Sequence, residues 1–331
     1  MAHGRFDNPI VAALAGVKDF FRKQDLAGQL KDTDRIDGKR CLVTGANSGL
    51  GYALAVELAR RGGEVIMANR RQLEQSEVRA RKDSGSHNIY GRYLDLSKID
   101  TIHDFVNKLK IEDQKLDIII LNAGVALPKA RKTDSGLEEM FLVNYLSNFI
   151  LLNLLLKRNL INNFKYNPRI VFISSDSHQG SSAIDFDEFG EYFDYGVSKG
   201  MNYYSYYKLV LNTLAVEFSR RLNSDEVKYG VHVICPGPVH SNIIKEAPWL
   251  LRIVLGGIFS IIFKKPEDAA KAVVYMAISP DYEGRTAEYL HMFNKKQMDE
   301  KVYDPAAGKK LWEQSQLVWQ SVDSKAISYS F

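Results

Sequence analysis

Thr44-Gly45-Ala46-Asn47-Ser48-Gly49-Leu50-Gly51 follows the apolar run Cys41-Leu42-Val43 and precedes a segment, Tyr52 to Arg61, that holds neither glycine nor proline. An apolar run, a glycine turn and an uninterrupted helical segment, in that order, predict a strand, a tight loop and a helix. Glycines let backbone N–H groups come close to an anion, and a helix that begins there points the positive end of its dipole at it. That unit is a dinucleotide phosphate site. A turn that needs glycine for backbone reasons alone is the plainer reading, and the later motifs make it the weaker one.

Working outward, apolar strand-like runs recur at Arg40–Thr44, Glu64–Ala68, Ile89–Leu94, Leu116–Leu121, Arg169–Ser174, Val231–Cys235 and Ala287–Met292, with helical stretches between them. The alternation predicts an α/β fold with a doubly wound parallel sheet. Asp117-Ile-Ile-Ile-Leu121 is apolar almost throughout, as expected of a strand covered on both faces. The 331 residues are read as one domain over 36–298, preceded by an extension, 1–35, and followed by a tail, 299–331. In the extension Asn8 and Pro9 suit a helix start, and Ile10, Leu14, Val17 and Phe21 recur at helical spacing beside Lys18, Arg22 and Lys23. Such a helix docks on the domain or lies on a membrane surface.

Composition narrows the function classes. A net charge of +4, without a long Lys/Arg tract, gives no electrostatic footprint for nucleic acid. Cys41 and Cys235 each lie in an apolar run, away from metal-ligand spacing, and read as reduced core thiols. The first apolar stretch, Ile10 to Ala15, is too short for a signal peptide and lacks a cleavage site, so a cytoplasmic, non-secreted protein is expected.

At the end of the second strand, where NAD-binding folds carry an acidic residue for the ribose hydroxyls, the chain reads Met67-Ala-Asn-Arg-Arg71. The carboxylate is missing, and the Arg70 guanidinium offers a planar, charged fork to a 2′-phosphate. The expectation is NADP(H) in preference to NAD(H).

Asp95-Leu-Ser97 and Leu121-Asn-Ala-Gly124 follow the third and fourth strands. With Thr-Gly-x-x-x-Gly-x-Gly they make the chain resemble the short-chain dehydrogenase/reductase superfamily, a Rossmann-type fold. The resemblance implies a dinucleotide cleft formed by Gly45, Asn47, Ser48, Gly49, Leu50, Gly51, Arg70, Asp95, Leu96, Asn122, Ala123 and Gly124. It is completed by Tyr204, Lys208, Pro236, Gly237 and Val239.

The superfamily's chemistry needs a tyrosine four residues before a lysine on a helix, a spacing that stacks both side chains on one face. Tyr195-Gly-Val-Ser-Lys199 and Tyr204-Ser-Tyr-Tyr-Lys208 both have it. Gly196 and Gly200 weaken a helix in the first pair, whereas Tyr204 to Leu222 holds no Gly or Pro and repeats Leu211, Leu214, Phe218 and Leu222 at helical spacing. Tyr204 and Lys208 are therefore the expected pair. A nearby ammonium, together with an oxidised nicotinamide ring, favours the phenolate, letting Tyr204 exchange a proton with the substrate oxygen as hydride moves. By resemblance Ser175 orients that oxygen, with Ser174 the alternative, Lys208 also holds the nicotinamide ribose, and Asn144 supports the proton relay.

Two apolar features bear on the substrate. The stretch between Ser175 and Tyr204 holds Phe186, Phe189, Tyr192, Phe193, Tyr195 and Tyr203, which suits a large apolar ligand or core packing. Trp249–Phe263 is almost wholly apolar and ends in Lys264-Lys265-Pro266. It reads as a lid over the substrate, a dip into the bilayer, or a lid that touches it. Together with the tail's Leu311-Trp-Glu-Gln-Ser315, these resemble the retinol dehydrogenase branch, with light-dependent protochlorophyllide reductases as the runner-up. The implied reaction is alcohol and carbonyl interconversion on a small lipophilic, retinoid-, sterol- or fatty-aldehyde-like substrate. The rivals are C=C reduction of a protochlorophyllide-like substrate and a non-catalytic dinucleotide-binding regulator. A Ser-His-Asp hydrolase is disfavoured, because no Gly-x-Ser-x-Gly elbow occurs and neither His178 nor His240 pairs with a nucleophile.

Overall fold

A computed structural model describes residues 26–162, 167–197, 199–237, 265–327 and 329 of the chain. The expected N-terminal helix, Trp249–Phe263, Val239 and His240 lie outside the described residues.

The glycine run joins β1 (Arg40–Thr44) to α1 (Gly49–Arg60), as its sequence predicts. Five further parallel strands and an edge pair follow: β2 (Glu64–Asn69), β3 (Ile89–Tyr93), β4 (Ile118–Leu121), β5 (Arg169–Ile173), β6 (Gly230–Cys235), β7 (Tyr289–His291) and β8 (Asn294–Lys295). The order across the sheet is β3-β2-β1-β4-β5-β6-β7-β8, parallel except for the final antiparallel pair. The two-residue β8 carries no apolar run by which it could be expected. The order reverses between β1 and β4, where Leu42 faces Ile66 on one side and Ile119 on the other. A crevice opens beyond the carboxyl ends of strands at such a reversal, and ligands of open α/β sheets bind there.

The helices are α2 (Leu73–Ser84), α3 (Ile99–Ile111), α4 (Glu139–Lys157), α5 (Gly200–Leu222), α6 (Pro266–Ile278) and α7 (Pro305–Val322). One apolar cluster gathers α1 and α6 over one face of the sheet, through Leu54, Leu58, Val273 and Met276. The other gathers α3, α4, α5 and α7, through Phe105, Phe149, Phe218 and Trp312. Each such side chain stabilises the fold by roughly 1.5–3 kcal/mol on burial. Helix α4 has the length and apolar composition of a membrane span, but all of it except the terminal Lys157 is buried and it forms part of this second core. Trp319 of α7 is 1% exposed, and its indole N–H donates to Asp323 at 2.6 Å. Asp323 also meets His103 of α3 at 2.7 Å, which fastens the end of α7 to the sheet's helical layer.

Helix α5 begins at Gly200, one turn earlier than its glycine-free stretch suggests, and Lys199 at the N-cap position is exposed and makes no side-chain cap bond. Gly200 is required there by packing: a Cβ would lie 2.5 Å from the Leu127 carbonyl oxygen.

Candidate active site

The loop after β1 has the shape of a phosphate cradle. Gly45 has φ +67° and Gly49 φ +56°, the left-handed region that favours glycine. A Cβ on Gly51 would lie 2.3 Å from the Gly45 carbonyl oxygen and 2.5 Å from Asn122 Nδ2, so only glycine fits between the two loops. The Ser48 side chain makes no capping bond, and the first turn of α1 carries no acidic residue. The positive end of the helix dipole therefore meets no carboxylate from its own first turn. These features fit a dinucleotide pyrophosphate.

Thr44, which sequence reasoning passed over, stitches the cleft: its Oγ1 accepts from the Asn122 and Ala123 amides, both at 3.0 Å. Asn122 returns the tie by donating Nδ2 to the Thr44 carbonyl at 2.8 Å. Asp95 serves its own turn, accepting from the Ser97 amide at 3.0 Å and hydroxyl at 2.7 Å, with Leu96 buried between them. Beside the glycine loop, Asn47 donates to Gln72 at 3.2 Å, and Arg79 donates to the Asn47 carbonyl at 3.1 Å while lying over the Tyr52 ring. Arg70 is exposed and makes no ion pair among the described residues. Neither Arg79 nor Gln72 belongs to a recognisable motif; only the position of α2 beside the loop brings them there.

The four expected reactive side chains come from α4, the segment just after β5, and α5. Asn144 sits in a π turn, Leu142–Leu146, within α4. Its amide is pinned both ways by Val125: Oδ1 accepts from the amide at 2.7 Å and Nδ2 donates to the carbonyl at 2.8 Å. π turns widen a helix and redirect one side chain, and they recur at functional sites. Lys208 is buried, and Nζ donates to the Ile173 carbonyl at 2.8 Å. A Cβ on Gly124 would stand 3.3 Å from Asn144 Oδ1 and 3.9 Å from Lys208 Nζ, so these three residues converge at the end of β4. Tyr204, one turn before Lys208, is half-buried with its ring centroid 5.6 Å from Nζ. Burial lowers Lys208 to about 8 and raises the Tyr204 hydroxyl above the ordinary phenol value. Desolvation is the largest cause of both shifts.

Of the two hydroxyls ending β5, Ser174 is buried with no partner for Oγ among the described residues, while Ser175 is half-buried and accepts from the Ser177 amide at 3.3 Å. Pro236 and Gly237 end β6, and Gly237 has φ +80° with a Cβ position only 2.9 Å from Met292 Sδ. The other Tyr/Lys pair is not built as a site. Tyr195 precedes α5, is buried, and donates to Glu138 at 3.0 Å, whereas Lys199 is exposed.

The aromatic stretch is largely packing. Phe189 meets Phe141 at 5.3 Å and Tyr145 at 5.9 Å, and Tyr203 lies 4.6 Å from both Phe193 and Tyr195. Among the described residues Phe186, Phe189, Phe193, Tyr195 and Tyr203 pack on one another and on the second core, while Tyr192 is exposed beneath the Lys132 ammonium.

A family model of the short chain dehydrogenases matches residues 39–185. Human retinol dehydrogenase 13 is 31% identical over 312 residues, covering 92% of each chain. This chain is a short-chain dehydrogenase/reductase. It falls in the retinol dehydrogenase-like branch of that family and is an NAD(P)(H)-dependent oxidoreductase. Human polyprenol dehydrogenase is 29% identical to this short-chain dehydrogenase over 277 residues, with 83% of each covered. In fold it is similar to a crystal structure of an uncharacterized protein from Mycobacterium Paratuberculosis, at TM-score 0.66 and 24% identity, over 90% of this chain and 98% of that one.

Proposed function

We propose that this short-chain dehydrogenase uses NADP(H) to interconvert an alcohol and a carbonyl on a lipophilic substrate, with Tyr204 as the proton donor and acceptor. The observation that carries the reading is the convergence of Lys208, Asn144 and Gly124 beside Tyr204 at the carboxyl end of the sheet. When bound, the dinucleotide supplies or takes the hydride. Tyr204, held protonated by burial, gives its proton to the carbonyl oxygen during reduction. Ser175 donates a hydrogen bond to that oxygen and orients it. Lys208 stands beside the phenol as a cation, favours the phenolate left after transfer, and holds the nicotinamide ribose; the fixed amide of Asn144 supports the return of a proton.

Arg70 supports NADP(H), since an exposed guanidinium stands where a ribose-binding carboxylate would stand. The similar retinol and polyprenol dehydrogenases support a lipophilic alcohol or aldehyde. A cytoplasmic enzyme touching a membrane through Trp249–Phe263 and the N-terminal helix would draw such a substrate from lipid. The test is NADPH and NADH consumption with retinaldehyde, farnesal, decanal and menadione. Turnover of an aldehyde with NADPH favoured at least about tenfold is expected, the yield of one charge-assisted bond. Tight NADPH binding without turnover of any of them would overturn the reading in favour of a non-catalytic dinucleotide-binding protein.

A further inference from the structure

Directly behind Ser175 lies a charged cluster that proton and hydride transfer do not use. Asp176 is 5% exposed. One carboxylate oxygen accepts from the Tyr289 hydroxyl, and the other accepts from His291 Nδ1 at 2.6 Å and Lys296 Nζ at 2.5 Å. Burial alone would raise this carboxyl, but the bonds and charges of His291 and Lys296 outweigh it and hold Asp176 well below the usual range. An ionised carboxylate this dry persists only when paired and hydrogen-bonded, and here it is both.

A second tie runs parallel to the first. His178 Nδ1–H donates to the Ser175 carbonyl at 2.6 Å, and His178 Nε2 accepts from the Asp299 amide at 3.3 Å. Burial lowers the His178 pKa, in keeping with this neutral tautomer. The short 3-10 turn Asp176–Gly180, which begins immediately after Ser175, is thus bound near its start and its middle to the segment 289–299. The Ser175 hydroxyl oxygen takes the Ser177 amide from the same turn, so the turn's placement sets the hydroxyl's.

Asp176, Cys235 and His291 also bring three metal-ligating atoms within 4.8 Å of one another. Lys296 already neutralises the carboxylate, and burial raises the Cys235 thiol to about 12, which keeps it protonated. A carboxylate already paired with an ammonium, beside a protonated thiol, makes an ion-pair cluster and not a cation site.

We propose that Asp176, clamped by Tyr289, His291 and Lys296, is a positioning residue that aims the Ser175 hydroxyl at the substrate oxygen. The proposal rests on the reading of Ser175 as the hydroxyl that orients that oxygen. Asp176→Asn keeps the shape and removes the charge that His291 and Lys296 face. Because misplacement by about 1 Å costs roughly 100-fold in rate, kcat should fall by between 10- and 100-fold while the NADPH dissociation constant stays within about twofold.

Four variants of the full chain test this with decanal and retinaldehyde: Asp176→Asn, Lys296→Met, Ser175→Ala and the Ser175→Ala/Asp176→Asn double. If Asp176 acts through Ser175, Asp176→Asn costs less than about twofold once Ser175 is alanine, as coupled residues are non-additive. Equal losses in both backgrounds would overturn the proposal. So would full activity of Asp176→Asn beside an inactive Ser175→Ala, and in that case the role of Ser175 itself would stand. Full activity of Ser175→Ala would refute that role and the positioning together. Hydrogen exchange in NADPH supplies a readout independent of turnover: amides of residues 174–180 should exchange about tenfold faster in Asp176→Asn, with β1 and β4 unchanged. Unaltered protection there would refute the clamp. Should Asp176→Asn fail to fold, Lys296→Met carries the same measurements, with the same split at smaller size.

Discussion

Exchanging Tyr195 and Tyr204 for phenylalanine, one at a time, separates the two look-alike tyrosines by opposite effects. Tyr195 is buried, and its hydroxyl donates to Glu138 Oε1 at 3.0 Å. Glu138 is 1% exposed and also accepts from the Phe141 amide at 2.9 Å, so its acceptors are shared among few donors. Losing a hydrogen bond to a carboxylate costs about 1.5–3 kcal/mol. At roughly 2–4 °C per kcal/mol for a larger domain, Tyr195→Phe should melt on the order of 5 °C lower. Its kcat per dinucleotide-binding molecule should match the parent, because the hydroxyl is engaged with Glu138 and Lys199 is exposed. Tyr204 has no such structural bond among the described residues, so Tyr204→Phe should keep the melting temperature within about 1 °C, the usual scale of a substitution away from a packed bond. Removing the proton donor should lower kcat by about 10²–10⁴ with the NADPH dissociation constant nearly unchanged. Differential scanning fluorimetry, NADPH titration by fluorescence and steady-state aldehyde reduction measure all three quantities on both variants. A Tyr195→Phe protein that melts normally but has lost turnover, beside a fully active Tyr204→Phe, would refute the reasoning.

Two further outcomes follow from charge. Arg70→Asp places a carboxylate where the guanidinium stands, and the ratio of kcat/KM for NADPH over NADH should drop by 10- to 100-fold, about the worth of one or two charge-assisted bonds; an unchanged ratio would remove Arg70 from the 2′-phosphate site. Glu138 is raised above its ordinary value of 4.5, by burial first, against the opposing bonds from the Phe141 and Met140 amides, Tyr195 and Tyr207. A raised carboxyl contributes stability that is complete below the unfolded value and is lost as pH rises through the folded one. Between pH 4.5 and 8 the melting temperature of Glu138→Gln should therefore fall less, or rise more, than that of the parent, and parallel curves would show that Glu138 does not titrate in this window.

The sheet was legible because its code is local. Continuous apolar runs such as Ile118–Leu121, bounded by turn residues and alternating with helical stretches, read as strands covered on both sides, and the glycines at 45 and 51 mark a left-handed turn and a close backbone approach. Where the local code is weak, so was the reading. The two-residue β8 has no periodicity to detect, and α5 starts at Gly200 because the Leu127 carbonyl stands 2.5 Å from where a Cβ would be, a tertiary reason invisible along the chain. The aromatic stretch from Phe186 to Tyr203 illustrates the opposite hazard. Its composition is equally that of a ligand pocket and of a packed layer, and the difference lies in whether Phe141 and Tyr145 of α4 stand opposite, which no spacing encodes.

The candidate site divides along the same line. Side chains at a fixed interval on one element, such as Tyr204 and Lys208, are proposed from spacing, with the glycines at 196 and 200 setting them apart from Tyr195 and Lys199. What fixes them is mostly backbone: Lys208 on the Ile173 carbonyl, Asn144 on both polar groups of Val125, His178 on the Ser175 carbonyl. Every residue carries a carbonyl and nearly every residue an amide, so these partners leave no mark on the sequence. Asp176 is the instructive case between the two. A carboxylate beside a candidate serine reads as a turn residue until β7 and the Lys296 segment, more than a hundred residues later, bring it a phenol, an imidazole and an ammonium. Three donors on one dry carboxylate cost more to assemble than a turn requires, since each charge gives up its water to join. Holding the neighbouring Ser175 hydroxyl in one place is a use that matches that cost, and the Asp176→Asn effect in a Ser175→Ala background is the measurement that separates this use from stability alone.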